Sequence, residues 1–203
     1  MESKQAPDSV APQGPIINLR GDKVGLGPIR RDLAPLYQSW INDFEVSRTL
    51  AIGLTPITLE AEYAWYDQPR NPKETVMFTI YELATSRPVG NTGLEHIDQQ
   101  NRTAELGLLI GEKKCWGKGY GTEAVSLMLD YGFTGLGLHS IMLHYYSCNQ
   151  RAGRAYSRAG FKAIGRRREA LYRGGRYYDL VYMDCLANDF SSPVLGKLFL
   201  AED

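Results

Sequence analysis

Residues 103–135 read T-A-E-L-G-L-L-I-G-E-K-K-C-W-G-K-G-Y-G-T-E-A-V-S-L-M-L-D-Y-G-F-T-G, an order of chemistry that spells strand, glycine-rich loop and helix. Ala104 to Ile110 is a largely apolar run of the right length for a buried strand. A polar connector leads to glycines at alternate positions, Gly117, Gly119 and Gly121. From Thr122 the apolar residues Val125, Met128, Leu129 and Phe133 keep helical spacing, and Gly132 or Gly135 is placed to end the helix. A loop of this kind lets backbone approach a ligand closely, and the unpaired N–H groups of the first helical turn favour an anion. The expected ligand therefore carries phosphate.

Two general phosphate-binding patterns fit poorly. A nucleotide-hydrolase loop needs G-x-x-x-x-G-K-[ST], and no Lys-Ser or Lys-Thr follows these glycines. Gly119-Tyr120-Gly121-Thr122-Glu123-Ala124 satisfies the dinucleotide fingerprint G-x-G-x-x-A, but that site also wants an acidic residue about twenty positions on, closing the next strand. The next strand candidate, Ser140 to Tyr146, runs into Ser147-Cys148-Asn149 without a carboxylate.

A third pattern fits better. Trp116-Gly117-Lys118-Gly119-Tyr120-Gly121 resembles [QR]-x-x-G-x-[GA], the acetyl-CoA-binding motif of the GNAT superfamily of N-acetyltransferases, with Trp116 where Gln or Arg is usual. Downstream, Asn149-Gln150-Arg151-Ala152-Gly153-Arg154-Ala155-Tyr156-Ser157-Arg158-Ala159-Gly160-Phe161 resembles that family's N-x-x-A-x-x-x-Y-x-k-x-G-F. The run from Trp116 to Ala124 is also similar to the branch containing ribosomal-protein N-terminal and spermidine acetyltransferases. The resemblance extends more loosely from about residue 24 to 187. It implies an α/β GNAT fold: a central mixed, largely antiparallel sheet of six to seven strands with helices on both faces.

Composition bounds the alternatives. The 203 residues suit one well-cored domain. Basic and acidic residues balance at 23 each, so the net field gives no reason to expect a nucleic-acid partner. No segment approaches the ~18 to 20 apolar residues of a membrane span, and the N-terminus lacks a signal-peptide core. The expectation is a soluble cytoplasmic protein. Cys115, Cys148 and Cys185 form no C-x-x-C pair, and His96, His139 and His144 lack a metal-binding spacing, so neither a disulfide framework nor a metal site is expected.

Residues 1–20 read as a mobile tail rich in Pro, Gln, Ser and Ala, 21–190 as the folded domain and 191–203 as a C-terminal extension. The expected elements are a strand over Val24–Ile29, a helix opened by Asp32 and a second helix capped by Thr58. Strands over Thr75–Tyr81 and Val89–Ile97 follow, then the 103–135 unit and a strand over Ser140–Tyr146. The chain closes with a helix over Gln150–Ala159, a strand from Phe161, a Gly174-Gly175 turn and a strand over Tyr177–Cys185. An edge strand near 177–187 could pair subunits in a homodimer. Charge is uneven: residues 32–68 hold six carboxylates (Asp32, Asp43, Glu45, Glu60, Glu62, Asp67) against Arg48, and residues 151–176 hold nine cations against Glu169. Each run is either a solvated face or a receptor, the basic one for CoA phosphates and the acidic one for a cationic amine.

The resemblance implies transfer of an acetyl group from acetyl-CoA to a primary amine by direct attack, without a covalent enzyme intermediate. It assigns Tyr156 as general acid beside the thioester sulfur, although a tyrosine on the apolar side of a helix is also ordinary core. It assigns Glu105 as the base that deprotonates the amine, often through water; an ion pair with a neighbouring arginine is the alternative. It implies a central strand splayed at a bulge, freeing backbone amides near Leu109 and Ile110 to meet the acyl carbonyl and pantetheine arm, with phosphates on Trp116, Gly117, Lys118, Gly119, Tyr120, Gly121 and Thr122. Asn149 would bond the arm, and it is equally a good helix cap. Trp40, Phe44, Trp65 and Tyr66 lie in the early helices and would form the acceptor wall, unless they are core. The acceptor expected is a small polycation, such as a polyamine or an aminoglycoside-like antibiotic. The competing expectations are a protein N-terminal α-amine and, from another class, a catalytically silent acyl-CoA-binding module.

Overall fold

The computed structural model describes residues 14–50 and 54–199. Residues 1–13 of the expected tail and 200–203 of the expected extension lie outside the described residues. Strands β1 (Leu19–Arg20), β2 (Val24–Pro28), β3 (Val76–Glu82), β4 (Arg87–Asp98), β5 (Thr103–Ile110), β6 (Ser140–Tyr146), β7 (Lys162–Arg173) and β8 (Arg176–Leu186) form one sheet, in the order β1-β2-β3-β4-β5-β6-β8-β7. Every neighbouring pair is antiparallel except β5–β6. The sheet is mixed and largely antiparallel, and its extra strand is β1, inside the stretch read as tail. The strand expected at an edge, β8, lies instead between β6 and β7, because the Gly174-Gly175 turn folds β7 back outside it; the free edge is β7.

Helices α1 (Ala34–Asn42), α2 (Phe44–Ser47), α3 (Leu59–Asp67), α4 (Tyr120–Asp130), α5 (Gln150–Ala159) and α6 (Leu195–Phe199) complete the fold. Alternation along β3 shows that the sheet is covered on both sides. Phe78 and Ile80 join the core formed with Ala124, Val125 and Met128 of α4, whereas the intervening Thr79 faces the other way and bonds the Tyr37 hydroxyl of α1 at 2.5 Å. Asp32 does not cap α1: it is bonded by Arg30, a short 3₁₀ turn fills Arg31–Leu33, and Pro35 occupies the first helical turn. Thr58 does cap α3, accepting from the Ala61 N–H at 3.2 Å.

The unit read from residues 103–135 is the centre of the molecule. Its helix begins at Tyr120, two residues earlier than expected, because Gly119 takes a left-handed φ of 87° and turns the loop directly into the helix. It runs past Gly132 as a π-helical turn ending at Gly135. On the strand side, β5 pairs with β6 only at Thr103–Ser140, Ala104–Ile141 and Glu105–Met142. Beyond Glu105 the two parallel strands part, while β5 stays in regular register with β4 from Glu95–Glu105 to Gly90–Ile110. The opening is thus a divergence of strands, without the bulge at Leu109 and Ile110 that the family resemblance implied.

Gly90 supports this end of β5, since a Cβ there would collide with the Leu109 carbonyl. Backbone cannot yield as a flexible side chain can, so Gly90→Ala is expected to destabilise the fold by about 1–3 kcal/mol. Chemical denaturation measures it; an unchanged midpoint would mean that the strands are not held this closely.

Candidate active site

Two cavities meet where β5 and β6 part. The first lies against the glycine loop and α5, and the second, of about 690 Å³, lies beneath α1 and α3. Thr49, Leu50, Leu108, Leu109, Asn149 and Tyr156 border both.

The first cavity is built to hold an anion. Gly117 and Gly119 both have left-handed φ, 77° and 87°, and the loop delivers the N-terminus of α4 to the cavity wall with Gly121 and Thr122 in its first turn. Arg151, Arg154 and Arg158 follow one another at helical spacing along α5 and line the same cavity. The Arg151 guanidinium lies 3.6 Å over the Trp116 ring, and burial lowers its pKa. Trp116 also donates its indole N–H to the Ile110 carbonyl at 2.8 Å, fastening the loop to the end of β5 and giving Trp a physical role at its unusual motif position. Lys23 reaches across from the β1–β2 turn and donates to the Lys118 carbonyl at 3.3 Å. The Tyr120 hydroxyl is turned to Glu82 at 2.6 Å, a bond that pushes its pKa up to about 12. These features fit a phosphate-bearing group such as CoA.

Between the cavities β5 offers peptide groups rather than side chains. Gly111 donates to the Val89 carbonyl at 3.0 Å, and antiparallel alternation then directs the Leu109 peptide at β4 and those of Leu108 and Ile110 into the opening. The amides of Leu108 and Ile110, and not that of Leu109, are therefore the ones turned to the opening, although all three residues line the first cavity. Asn149 caps α5 through its carboxamide oxygen, which accepts from Ala152 N–H at 3.1 Å, while its residue borders both cavities. Tyr156 is buried among Tyr145 and Phe161, and burial pushes its phenol up to about 12. It is a core residue that also borders both cavities.

The second cavity carries Glu62, Glu95 and Glu105, and neither Lys nor Arg lines it among the described residues. Glu105 is bonded by Nδ1 of His144 at 2.6 Å, so its partner is a histidine rather than an arginine. Glu95 is the direct cross-strand neighbour of Glu105. His144 was visible to sequence only through parity: it stands two residues beyond Met142, the β6 partner of Glu105, and so faces the same way. Of the four aromatic residues expected on the acceptor wall, Trp65 lines this cavity. Trp40 is buried with its ring packed onto Gly111, Phe44 is exposed, and the Tyr66 hydroxyl donates to the Ile29 carbonyl at 3.5 Å. Ile41, Leu50, Ile57, Met77 and Leu106 make much of the remaining wall apolar, with Thr49, Thr58, Asn91 and Thr92 as polar points among them.

Comparison with known proteins agrees with this architecture. The profile of a family described as the acetyltransferase (GNAT) domain matches residues 23–162. Alpha/beta-tubulin-N-acetyltransferase 9 of Homo sapiens is 32% identical over 158 residues, covering 72% of this chain and 75% of that protein. The spermidine N(1)-acetyltransferase of Vibrio cholerae is 32% identical over 111 residues, covering 55% and 64%. The chain spans less than two thirds of the length of several curated relatives that it matches. Among solved structures, spermidine N-acetyltransferase from Vibrio cholerae in complex with CoA and spermine superposes with a TM-score of 0.75 at 24% identity, over 82% of this chain and 97% of that one, a likeness of fold.

Gly119→Asp sets a side chain on left-handed backbone and a negative charge at a helix N-terminus facing three arginines. Calorimetry is expected to record at least a roughly tenfold weaker affinity for CoA. An unchanged affinity would mean that the anion is held elsewhere.

Proposed function

This chain belongs to the GNAT family of acetyltransferases, and we propose that it transfers an acetyl group from acetyl-CoA to a primary amine in a ternary complex. The observation that carries the proposal is the junction: Tyr156 borders both an anion-holding cavity and a carboxylate-bearing one, across an opening lined by strand amides. Bound acetyl-CoA supplies the acetyl group as a thioester. The glycine loop, the first turn of α4 and the three α5 arginines hold its phosphates by charge and by N–H donors. The amides of Leu108 and Ile110 stand ready for the arm and for the carbonyl oxygen as it gains charge. A phenol with its pKa near 12 stays protonated at neutral pH, so Tyr156 keeps a proton to give to the departing sulfur. Glu105, held by His144, accepts the proton that the amine must lose before it can attack.

The acceptor we propose is a small polycationic amine. Support comes from the three carboxylates of the acceptor cavity, unopposed by Lys or Arg among the described residues that line it, and from the spermidine acetyltransferases among the relatives. A second reading, a protein N-terminal α-amine, is favoured by the apolar wall, which suits an uncharged first side chain, and by the tubulin acetyltransferase among the relatives.

Free-thiol release from acetyl-CoA across spermidine, aminoglycosides, amino acids and short peptides distinguishes them. Turnover is expected with polycations and absent with peptides; turnover with peptides alone would move the protein to the second reading. Tyr156→Phe is expected to lower kcat by about a hundredfold or more with CoA affinity kept. Unchanged turnover would remove the proton-donor role.

A further inference from the structure

We infer that Glu62 is a second cation-binding group within the acceptor cavity, and that the acceptor is an aliphatic compound with two amino groups, one presented to Glu105 and Tyr156 and the other held by Glu62. The inference rests on the polycationic reading above and names the residue that makes it specific.

The acidic run of residues 32–68 looks like one field in sequence, but its carboxylates have separate fates. Asp32 is bonded by Arg30 at 2.6 Å, Asp67 by Arg31 at 3.1 Å, and Asp43 and Glu45 by Lys113 at 2.7 and 3.0 Å. Surface pairing disposes of these four. Glu62 is 3% exposed and lines the acceptor cavity, and its carboxylate has no ion pair or hydrogen bond among the described residues. Burial alone acts on its carboxyl and raises its pKa.

Helix α3 aims it there. Thr58, Ala61, Glu62 and Trp65 share the spacing of one helical face, and all four line the cavity. A carboxylate on an inward face costs stability unless something compensates it, and an apolar residue would fill the same volume more cheaply. The rest of the cavity adds to the cost: Glu95 and Glu105 stand directly opposite on adjacent strands, an arrangement of like charges that is itself unfavourable. A ligand with positive charge at two points relieves both. Because the cavity wall taken as a whole is mainly apolar, the ligand's cations are expected to be joined by methylene groups rather than by a hydroxylated ring.

The test compares wild type with Glu62→Gln on matched pairs, 1,4-diaminobutane against butylamine and 1,8-diaminooctane against octylamine. Wild type is expected to favour the diamine in kcat/KM by about ten- to hundredfold, the range of a charge-assisted contact. Glu62→Gln is expected to lose most of that preference through KM, with kcat and CoA affinity kept. Glu62→Met, which removes a buried charge, should lose the preference while raising the melting temperature. Preference kept in both variants would overturn the inference and leave the polycationic reading standing. Peptide turnover with neither amine acetylated would overturn that reading and the inference with it.

Discussion

Three residue pairs join β5 to β6, and the rest of the site depends on their being so few. A strand interior normally gives both edges of its backbone to neighbours, because an unpaired peptide group in a buried setting is costly. Here β4 holds one edge of β5 throughout, and beyond Glu105 the other edge is released. The released groups lie inside the molecule but face an opening, so a ligand that supplies hydrogen bonds there completes the sheet. Tyr156 and Asn149 of the α5 unit border that opening, and the glycine loop closes one end of it. Trp116 ties these parts together, with its indole N–H on Ile110 and its ring beneath Arg151.

Charge is then sorted across the divergence. Arg151, Arg154 and Arg158 face the glycine-loop cavity, whereas Lys162 and Arg166 of the same basic run are neutralised by Asp189 and Asp179. On the other side, Glu62, Glu95 and Glu105 line the acceptor cavity, while Asp32, Asp43, Glu45 and Asp67 pair at the surface. Zero net charge therefore conceals two cavities of opposite sign, one suited to an anionic donor and one to a cationic acceptor.

How much of this was legible in the sequence follows from the range of the interactions involved. Local signals read well: β6 and α5 have the bounds expected, Ser140–Tyr146 and Gln150–Ala159, because Asn149 caps one end of α5 and Gly160 closes the other with a left-handed φ. The start of α4 was misread by two residues because the role of Gly119 depends on its backbone angle, which spacing alone does not report. The acceptor wall was legible only in part. Short helices such as α1 and α3 carry aromatics on several sides, and which side faces inward is set by packing against β3 and Gly111. For the same reason His144 is hidden in the sequence and Glu62 is not distinguishable from the other carboxylates of residues 32–68, since their meaning needs the pairing of β6 with β5 and the burial of one face of α3.

The central claim, that the released backbone of β5 is the ligand-binding edge of the sheet, is tested most directly by amide hydrogen exchange resolved by NMR, with and without CoA. The account predicts that the amides of Leu108 and Ile110, together with Gly121 and Thr122 at the start of α4, become protected on binding, while Leu109, already bonded to β4, changes little. Protection of Leu109 with Leu108 and Ile110 unaffected, or protection confined to residues away from the divergence, would contradict it.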